Sequence, residues 1–183
     1  MSKVLVFLAN GFEEIEGLTV VDLLRRADIT VETVSISDSL TVTGAHNISV
    51  LADTLIEDAA LSDADMVVLP GGMPGTLHLG NCKQVTDTVT QYFNQGKRVA
   101  AICAAPSVLG DLGILNGKRA CCYPGFEDRL TGATPSKNEV EQDGTVTTSR
   151  GLGTAIPFAL SLIAQLTDTE TASKIKESII FMH

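Results

Sequence analysis

The sequence predicts a single α/β domain over residues 1–183, with a doubly wound, mainly parallel sheet, helices on both faces and short β-hairpins. Three observations indicate this fold class. Short apolar runs recur along the chain, segments with helical periodicity separate them, and Val, Ile, Leu and Ala supply most of the apolar side chains. Continuous aliphatic runs are typical of parallel strands that are buried on both faces. No internal repeat, linker or low-complexity segment divides the chain, which is long enough to bury one substantial core.

The first half of the chain alternates between strand and helix patterns. Strands are predicted at residues 4–9, 29–36 and 66–69, a helix from residue 13 to about residue 27, and a hairpin from the alternating runs 40–42 and 48–51. Residues 10–12 make the turn between the first strand and the first helix. Three carboxylates, Glu13, Glu14 and Glu16, open that helix, where the helix dipole favours negative charge.

The second half continues the alternation. Strands are predicted at residues 97–102 and 118–122, helices at 83–94, 107–112, 156–163 and 172–179, and a hairpin from 139–142 and 145–148. Asp143 and Gly144 predict the two-residue turn of this hairpin, because this pair accepts positive φ angles. A glycine-bearing loop follows at 149–153, and Thr154 is expected to cap the next helix, which tolerates Pro157 only in its first turn.

Composition and charge exclude several classes of protein. The formal net charge of −9, without a basic patch, argues against nucleic acid or an anionic membrane as partner. No apolar run reaches the roughly 18 residues of a membrane helix, and the amino terminus lacks the cleavage region of a signal peptide. We therefore expect a cytoplasmic protein whose cysteines are free thiols. These cysteines are Cys82, Cys103, Cys121 and Cys122.

Cys103 is the predicted reactive centre, because it lies where a buried strand turns sharply into a helix. We expect the positive end of the helix dipole to lower the pKa of this thiol well below its ordinary value of about 8.5. Most free cysteines are simply small buried hydrophobic residues, but the small neighbours of Cys103 leave room for a ligand. We interpret Cys82, Cys121 and Cys122 as small buried hydrophobic residues of this kind. Cys121 and Cys122 are adjacent on a predicted strand and are directed to its opposite faces.

Three loops with unusual residues leave the carboxyl ends of predicted strands, which is where sites form in open α/β sheets. They are residues 10–16, 70–75 and 103–106. Gly71 and Gly72 could form an ordinary turn, or their N–H groups could join that of Ala104 in an oxyanion hole. The carboxylates of the loop at residues 10–16 could simply be charges at the start of the helix. Alternatively, one of them could lie beside Cys103, where a raised pKa would let it donate a hydrogen bond to the sulfur.

No metal or cofactor is expected. His46 falls in a predicted hairpin turn, His78 in a loop before a helix, and His183 at the chain end, so they form no convincing metal site. The chain has no Cys-x-x-Cys pair, and the glycine pair within residues 151–153 is too short for a dinucleotide fingerprint.

Four segments stand out along the chain: ANGFEEIE at 9–16, LPGG at 69–72, AAICAAP at 100–106 and TSRGLGT at 148–154. In their order and spacing, and over essentially the whole chain, they together resemble the DJ-1/ThiJ/PfpI family. The resemblance implies a flavodoxin-like fold of the class I glutamine amidotransferase-like superfamily and a homodimer. By motif, Cys103 matches the reactive, easily oxidised cysteine of the family, and Glu16 matches the protonated glutamate that hydrogen-bonds it. Gly72 and Ala104 match the backbone donors, while Gly71, Tyr123 and Arg150 are candidate lining residues.

The activities that the resemblance implies are a glutathione-independent glyoxalase acting on methylglyoxal and a deglycase acting on glycated thiols or amines. Alternatives are a non-catalytic redox sensor or chaperone that works through oxidation of Cys103, a scaffold with a vestigial site, and an older assignment to thiazole-monophosphate biosynthesis. Ala104 stands where the protease-like branch has histidine, so a Cys–His peptidase is not expected. Tyr123 and His46 stand where relatives often have histidine and arginine, respectively, which leaves Glu16 to move protons.

Overall fold

The computed structural model describes residues 2–182 and contains strands and helices in an alternating order. The strands are β1 Lys3–Leu8, β2 Thr30–Ser35, β3 Thr41–Thr43, β4 Ser49–Leu51, β5 Thr54–Leu55, β6 Met66–Leu69, β7 Arg98–Ile102, β8 Arg119–Ala120, β9 Thr134–Pro135, β10 Val140–Asp143 and β11 Val146–Ser149. The helices are α1 Glu14–Arg26, α2 Gly75–Asn81, α3 Lys83–Asn94, α4 Pro106–Asp111, α5 Ala155–Leu166 and α6 Thr169–Ser178. Short 3₁₀ turns occur at Glu127–Arg129 and Leu152–Thr154.

The central sheet has the strand order β10-β11-β7-β6-β1-β2-β5. Every neighbouring pair is parallel except β10 with β11, which form an antiparallel hairpin at one edge. The register places Val67 of β6 opposite Val99 of β7 and Val4 of β1 opposite Val31 of β2. The predicted α/β class with a mainly parallel sheet is therefore confirmed.

Two apolar cores lie on the two faces of the sheet, and β7 contributes to both. Its Val99 and Ala101 face the core formed with α2, α3 and α4. Its Ala100 and Ile102 face the core formed with α1 and α5. All four side chains are fully buried, which explains why this strand has a continuous apolar sequence instead of an alternating one.

The two predicted hairpins are present, but the second turns one residue later than expected. Strands β3 and β4 pair antiparallel, as predicted. In the other hairpin Asp143 pairs with Val146, so the loop consists of Gly144 and Thr145, with Gly144 at φ 63°. The carboxylate of Asp143 accepts the backbone N–H of Arg119 at 3.0 Å, which holds Asp143 in the strand.

Helix α2 corrects the prediction that residues after Gly75 form a loop containing His78. Leu79 is fully buried and anchors this helix on the sheet. The sequence signal was weak because Gly75 and Gly80 lower helix propensity and Pro74, at the N-cap, supplies no side-chain hydrogen bond.

The strand predicted at 118–122 is shorter than expected, since β8 ends at Ala120 and pairs with β9 in a separate small sheet. Cys121 and Cys122 therefore follow the strand instead of lying on it. Both are buried, and the Cys121 thiol donates a hydrogen bond to the carbonyl of Thr148 at 3.2 Å, consistent with structural roles. Strand β5, at the other edge of the main sheet, has only two residues and was not predicted.

The start of helix α5 agrees with the prediction for Pro157 but not with the prediction that Thr154 caps the helix. Pro157 lies in its first turn, where its missing N–H has no helical partner to lose. Thr154 occupies the N-cap position, but its hydroxyl makes no capping hydrogen bond and serves the preceding loop. Among residues 2–182, none of the helices combines the length and apolarity needed to cross a bilayer.

Candidate active site

Three loops meet at the carboxyl edge of the sheet, because they follow the adjacent strands β1, β6 and β7. Backbone hydrogen bonds join the first two loops. The N–H of Glu13 donates to the carbonyl of Gly71 at 2.8 Å, and the N–H of Gly75 donates to the carbonyl of Gly11 at 3.1 Å. The predicted convergence of these loops is thus present, and it brings side chains from α1 and β7 together.

Cys103 lies on a tight turn between β7 and α4, with the positive φ of 66°. A left-handed conformation costs a residue with a Cβ about 1–2 kcal/mol, so the surrounding structure must hold it. It does so through two hydrogen bonds: the N–H of Cys103 donates to the carbonyl of Ser149 at 3.0 Å, and its carbonyl accepts the N–H of Tyr123 at 2.8 Å. The side chain is partly buried, packs against the core formed with α1 and α5, and lies beside Glu16 where the loops meet.

Glu16 reaches this thiol from the first turn of α1 and is almost completely buried. Its side chain hydrogen-bonds Cys103, and its Oε2 accepts the N–H of Gly71 at 3.0 Å. The turn itself is fixed because the carboxylate of Glu13, the N-cap residue, accepts the N–H of Glu16 at 2.8 Å. The predicted carboxyl partner of Cys103 is therefore in place.

Gly71 and Gly72 are required by the close packing of the loops. A Cβ at Gly71 would lie 2.5 Å from the Cβ of Cys103 and 2.5 Å from Oε2 of Glu16. Gly72 has a φ of 91°, and a Cβ there would lie 2.2 Å from the backbone nitrogen of Glu13. Any side chain at either position would displace the groups that form the site.

The backbone N–H groups of Gly72 and Ala104 both hydrogen-bond the Cys103 sulfur. These two donors are predicted from the sequence, but as partners of the oxygen of a bound substrate. In the present geometry they stabilise negative charge on sulfur, and they are also within reach of an oxygen atom bonded to that sulfur.

The pKa of Glu16 is raised from 4.5 to about 7. Burial is the largest cause, and the carboxylate of Glu13 adds to it. Hydrogen bonds from Cys103 and from the N–H of Gly71 act in the opposite direction but do not compensate. Glu16 can therefore either hold or accept a proton near neutral pH, which is the property of an effective general acid or base.

The pKa of the Cys103 thiol is raised to about 12, by burial first and then by the charge of the hydrogen-bonded Glu16 carboxylate. The N–H groups of Gly72 and Ala104 lower it, but by less. The predicted lowering of this pKa is therefore wrong, because α4 has only six residues and its dipole meets a buried carboxylate beside the sulfur. Since the two groups titrate as a coupled pair, they share one proton between about pH 7 and about pH 12.

Tyr123, Arg150 and Gly151 form the rim beside this pair. A Cβ at Gly151 would lie 3.3 Å from the Tyr123 ring and 3.7 Å from Oε1 of Glu16. Tyr123 is half-exposed, and Arg150 is partly buried in the wall of a cavity next to it. The structure therefore brings all the predicted site residues to one region, with Tyr123 and Arg150 at its entrance.

Glu14 is a residue whose importance the sequence analysis missed. It is buried, and Oε1 accepts the N–H of His46 at 2.7 Å while Oε2 contacts His46 Nδ1 at 2.8 Å. Burial acts to raise the pKa of Glu14, but these hydrogen bonds outweigh it and lower the pKa below 4.5. Glu14 thus ties the β3–β4 hairpin to the first loop. The run of three carboxylates in one helical turn was its only signal.

The histidines do not contact the Cys103–Glu16 pair in the described part of the chain. His46 is bound to Glu14, His78 in α2 contacts the carbonyl of Asn10 at 2.8 Å, and His183 lies outside the described residues. In residues 2–182, one group could offer cation ligands, namely Glu13, Glu14 and His46, with ligand atoms within 4.8 Å of one another. Glu14 and His46 already hydrogen-bond each other there, and the expected absence of a metal stays a prediction.

Comparisons with known proteins show the family of the chain and agree with its fold. The model of the DJ-1/PfpI family matches residues 2–165. The chain is 39% identical over 180 residues to Protein DJ-1 homolog B of Arabidopsis thaliana, covering 97% of this chain but only 41% of that protein. It is 36% identical over 183 residues to Protein dj-1beta of Drosophila melanogaster, covering 98% of each. The solved structure of oxidized Toxoplasma gondii DJ-1 superposes with a TM-score of 0.96 at 36% identity, covering 100% of both chains.

Proposed function

This chain belongs to the DJ-1/PfpI family, and from that premise we propose that it is a Cys103-dependent enzyme that converts 2-oxoaldehydes such as methylglyoxal into 2-hydroxy acids such as lactate. The observation that carries the proposal is the hydrogen-bonded pair of Cys103 with Glu16, whose pKa of about 7 suits proton transfer at neutral pH. Adducts of the same aldehydes with thiols or amines form a second substrate class of this proposal, since they release or contain the same carbonyl carbon.

The proposed reaction begins when the sulfur of Cys103 attacks the aldehyde carbon and the Glu16 carboxylate takes the thiol proton. The carbonyl oxygen gains the electron pair of the broken π bond and then takes the proton from Glu16, so the product is a hemithioacetal and Glu16 is again a carboxylate. The N–H groups of Gly72 and Ala104, which converge on the sulfur, would stabilise this oxygen while it is negative.

Rearrangement then moves a proton from the former aldehyde carbon to the neighbouring carbonyl carbon. Glu16 takes the first proton to give an enediolate and returns a proton to the second carbon, which leaves a thioester of Cys103. Water hydrolyses the thioester, so the overall change is the addition of one water to the 2-oxoaldehyde. No histidine contacts the pair in the described chain, so Glu16 carries both proton transfers in this proposal.

Lactate formation from methylglyoxal tests the proposal in the wild-type protein and in the Cys103→Ala and Glu16→Gln variants. We expect Cys103→Ala to reduce the rate to background and Glu16→Gln to reduce it ~100-fold or more, the usual contribution of general acid–base catalysis. Cys82→Ala is the matched control, because Cys82 is another partly buried free cysteine and lies at the junction of α2 and α3. Equal rates in the wild type and Cys103→Ala would refute the proposal.

A second candidate function is peroxide sensing through Cys103. The observation that favours it is that two backbone N–H groups and the buried Glu16 side chain all hydrogen-bond the sulfur itself. Two molecules of peroxide would oxidise the thiol through sulfenic to sulfinic acid, each transferring one oxygen to sulfur and leaving as water. These donors would then bind the sulfinate oxygens. Mass spectrometry after mild peroxide treatment should find two added oxygens on Cys103; oxidation spread evenly over the four cysteines would exclude the sensor.

A homodimer is a further part of the proposal, supported by exposed apolar side chains on adjoining elements. Ile15 and Leu18 on α1 are 47% and 36% exposed, and Ile48 at the start of the hairpin strand is 53% exposed. These elements are adjacent, because the carboxylate of Glu14 on α1 accepts the N–H of Ile48 at 3.4 Å. Light scattering of the wild type should give twice the chain mass, and Ile15→Lys should give the monomer; a monomeric wild type at micromolar concentration would contradict the dimer.

A further inference from the structure

A cavity of about 300 Å³ opens beside the Cys103–Glu16 pair. Its walls are Tyr123 and Pro124 on one side and residues 150–154 on the other. Gly151 connects the cavity with the reactive pair, since a Cβ there would lie 3.7 Å from Oε1 of Glu16. The cavity at Tyr123 is therefore where the remainder of a substrate bound to Cys103 would lie.

Arg150 in the wall of this cavity has a guanidinium group without a hydrogen-bond or ion-pair partner anywhere in residues 2–182. By contrast, Arg25, Arg26 and Arg129 each hold an aspartate carboxylate. The carboxylate of Glu127 interacts electrostatically with Arg150 but accepts the N–H of Gly125 at 2.7 Å. Arg150 is therefore a partly buried cation in the cavity wall that forms no ion pair within residues 2–182.

The backbone that carries Arg150 is held firmly. The Thr154 hydroxyl accepts the N–H groups of Arg150 at 3.2 Å and Gly151 at 3.1 Å, and it lies 2.7 Å from the hydroxyl of Ser149. The carbonyl of Ser149 in turn accepts the N–H of Cys103. Because these links join the rim to the reactive turn, the position of the Arg150 backbone relative to the sulfur is set before any ligand binds.

We propose that Arg150 makes the site selective for 2-oxoaldehydes that carry a carboxylate at the end remote from the aldehyde. This inference rests on the proposed function and names its substrate class. A guanidinium group binds a carboxylate through two parallel hydrogen bonds, and the tail takes no part in the reaction, which still adds one water across the oxoaldehyde. A carboxylate is preferred over a phosphate because one guanidinium, which already interacts with the charge of Glu127, cannot neutralise two negative charges.

Turnover of three substrates tests this selectivity: 4,5-dioxopentanoate, its methyl ester and methylglyoxal. We expect the wild type to prefer the acid over the ester by ~10- to 100-fold in kcat/KM, the range typical of a charged hydrogen-bonded pair. Arg150→Met should abolish this ratio and Arg150→Lys should retain part of it. Arg129→Met is the matched control, because it removes the same charge from a residue that does not line the cavity. An acid-to-ester ratio near one in the wild type, or an unchanged ratio in Arg150→Met, would overturn the inference.

A binding experiment separates failure of this inference from failure of the proposed function. Succinate semialdehyde and butanal can each form a hemithioacetal with Cys103, but neither has the second carbonyl that the rearrangement needs. We expect succinate semialdehyde to protect Cys103 from iodoacetamide at least ~10-fold better than butanal does, and Arg150→Met to remove the difference. Such protection without methylglyoxal turnover supports Arg150 recognition and refutes the glyoxalase. Turnover of methylglyoxal with equal protection by both aldehydes refutes Arg150 recognition alone.

Discussion

Replacing Glu16 by Gln should change how the stability of the protein depends on pH. Glutamine has nearly the same shape, and its side-chain oxygen can still accept the N–H of Gly71, but it cannot ionise. The variant therefore removes the titration of Glu16 and leaves the packing between α1 and the loop that follows β6 largely intact. Any effect of pH that is present in the wild type and absent from the variant belongs to this carboxyl group or to its partner Cys103.

The magnitude of this pH effect follows from the difference between the pKa of Glu16 in the folded protein and its pKa in the unfolded chain. Its pKa rises from an ordinary 4.5 to about 7 on folding, so the folded protein binds the proton more tightly than the unfolded chain does. At about 1.4 kcal/mol for each tenfold difference, this contributes ~3 kcal/mol to the free energy of unfolding. The contribution is fully present below pH 4.5 and is lost as the pH rises through about 7. Stability of the wild type should therefore fall across this interval relative to the variant.

Urea denaturation of both proteins at pH 5 and pH 8 measures the effect. We expect Glu16→Gln to gain up to ~3 kcal/mol relative to the wild type between these two pH values, with unchanged m-values. Taking the difference between the proteins cancels the titration of groups that both share, such as His46, whose pKa is raised by its hydrogen bond to Glu14. A stability difference that is the same at both pH values would show that Glu16 is not the buried acid described here.

Three further substitutions test the loop packing, the backbone conformation and the Glu14–His46 contact that hold the site in place. Gly71→Ala should destabilise the fold by ~1–3 kcal/mol and abolish activity, because its Cβ would lie 2.5 Å from both Cys103 and Glu16; normal stability in urea denaturation would contradict the packing. Cys103→Gly should be more stable than Cys103→Ala by ~1 kcal/mol in thermal unfolding, since only glycine accepts the positive φ without strain, and the opposite order would exclude strain at this turn. Glu14→Gln should weaken the contact with His46 and lower stability by ~1–3 kcal/mol at pH 7. Because the pKa of Glu14 is lowered, the loss should shrink as the pH falls below 4.5, and a constant loss down to pH 3 would argue against the ion pair.

The sequence predicted most of the main sheet and the position of Cys103 from local patterns, and the family motif singled out Glu16 as its neighbour. An apolar run that ends at Cys103 between small residues specifies a buried strand and a sharp turn. The adjacency of β1, β6 and β7 then follows from the topology of open parallel sheets. Glu16 lies in the first turn of α1, which follows β1, so the same edge of the sheet brings it to Cys103.

The features that escaped prediction depend on contacts between distant segments. Helix α2 is stabilised by burial of Leu79 in the core and not by helix propensity or a cap. The pKa of Cys103 depends on burial and on a carboxylate 87 positions earlier in the chain, whereas the sequence shows only the helix that follows. Arg150 is predicted from the sequence as a lining residue, but only the structure reveals that no acidic side chain pairs with it in the described residues.

The two backbone hydrogen bonds of Cys103 also set the order in which the site is completed during protein synthesis. Their partners, Tyr123 and Ser149, are translated later than Cys103 itself. Until β11 has been translated and inserted between β7 and β10, the turn at Cys103 lacks at least its hydrogen bond to Ser149. The turn is therefore complete only after residues 104–149 have followed Cys103 out of the ribosome, although the acid partner Glu16 precedes it in the chain.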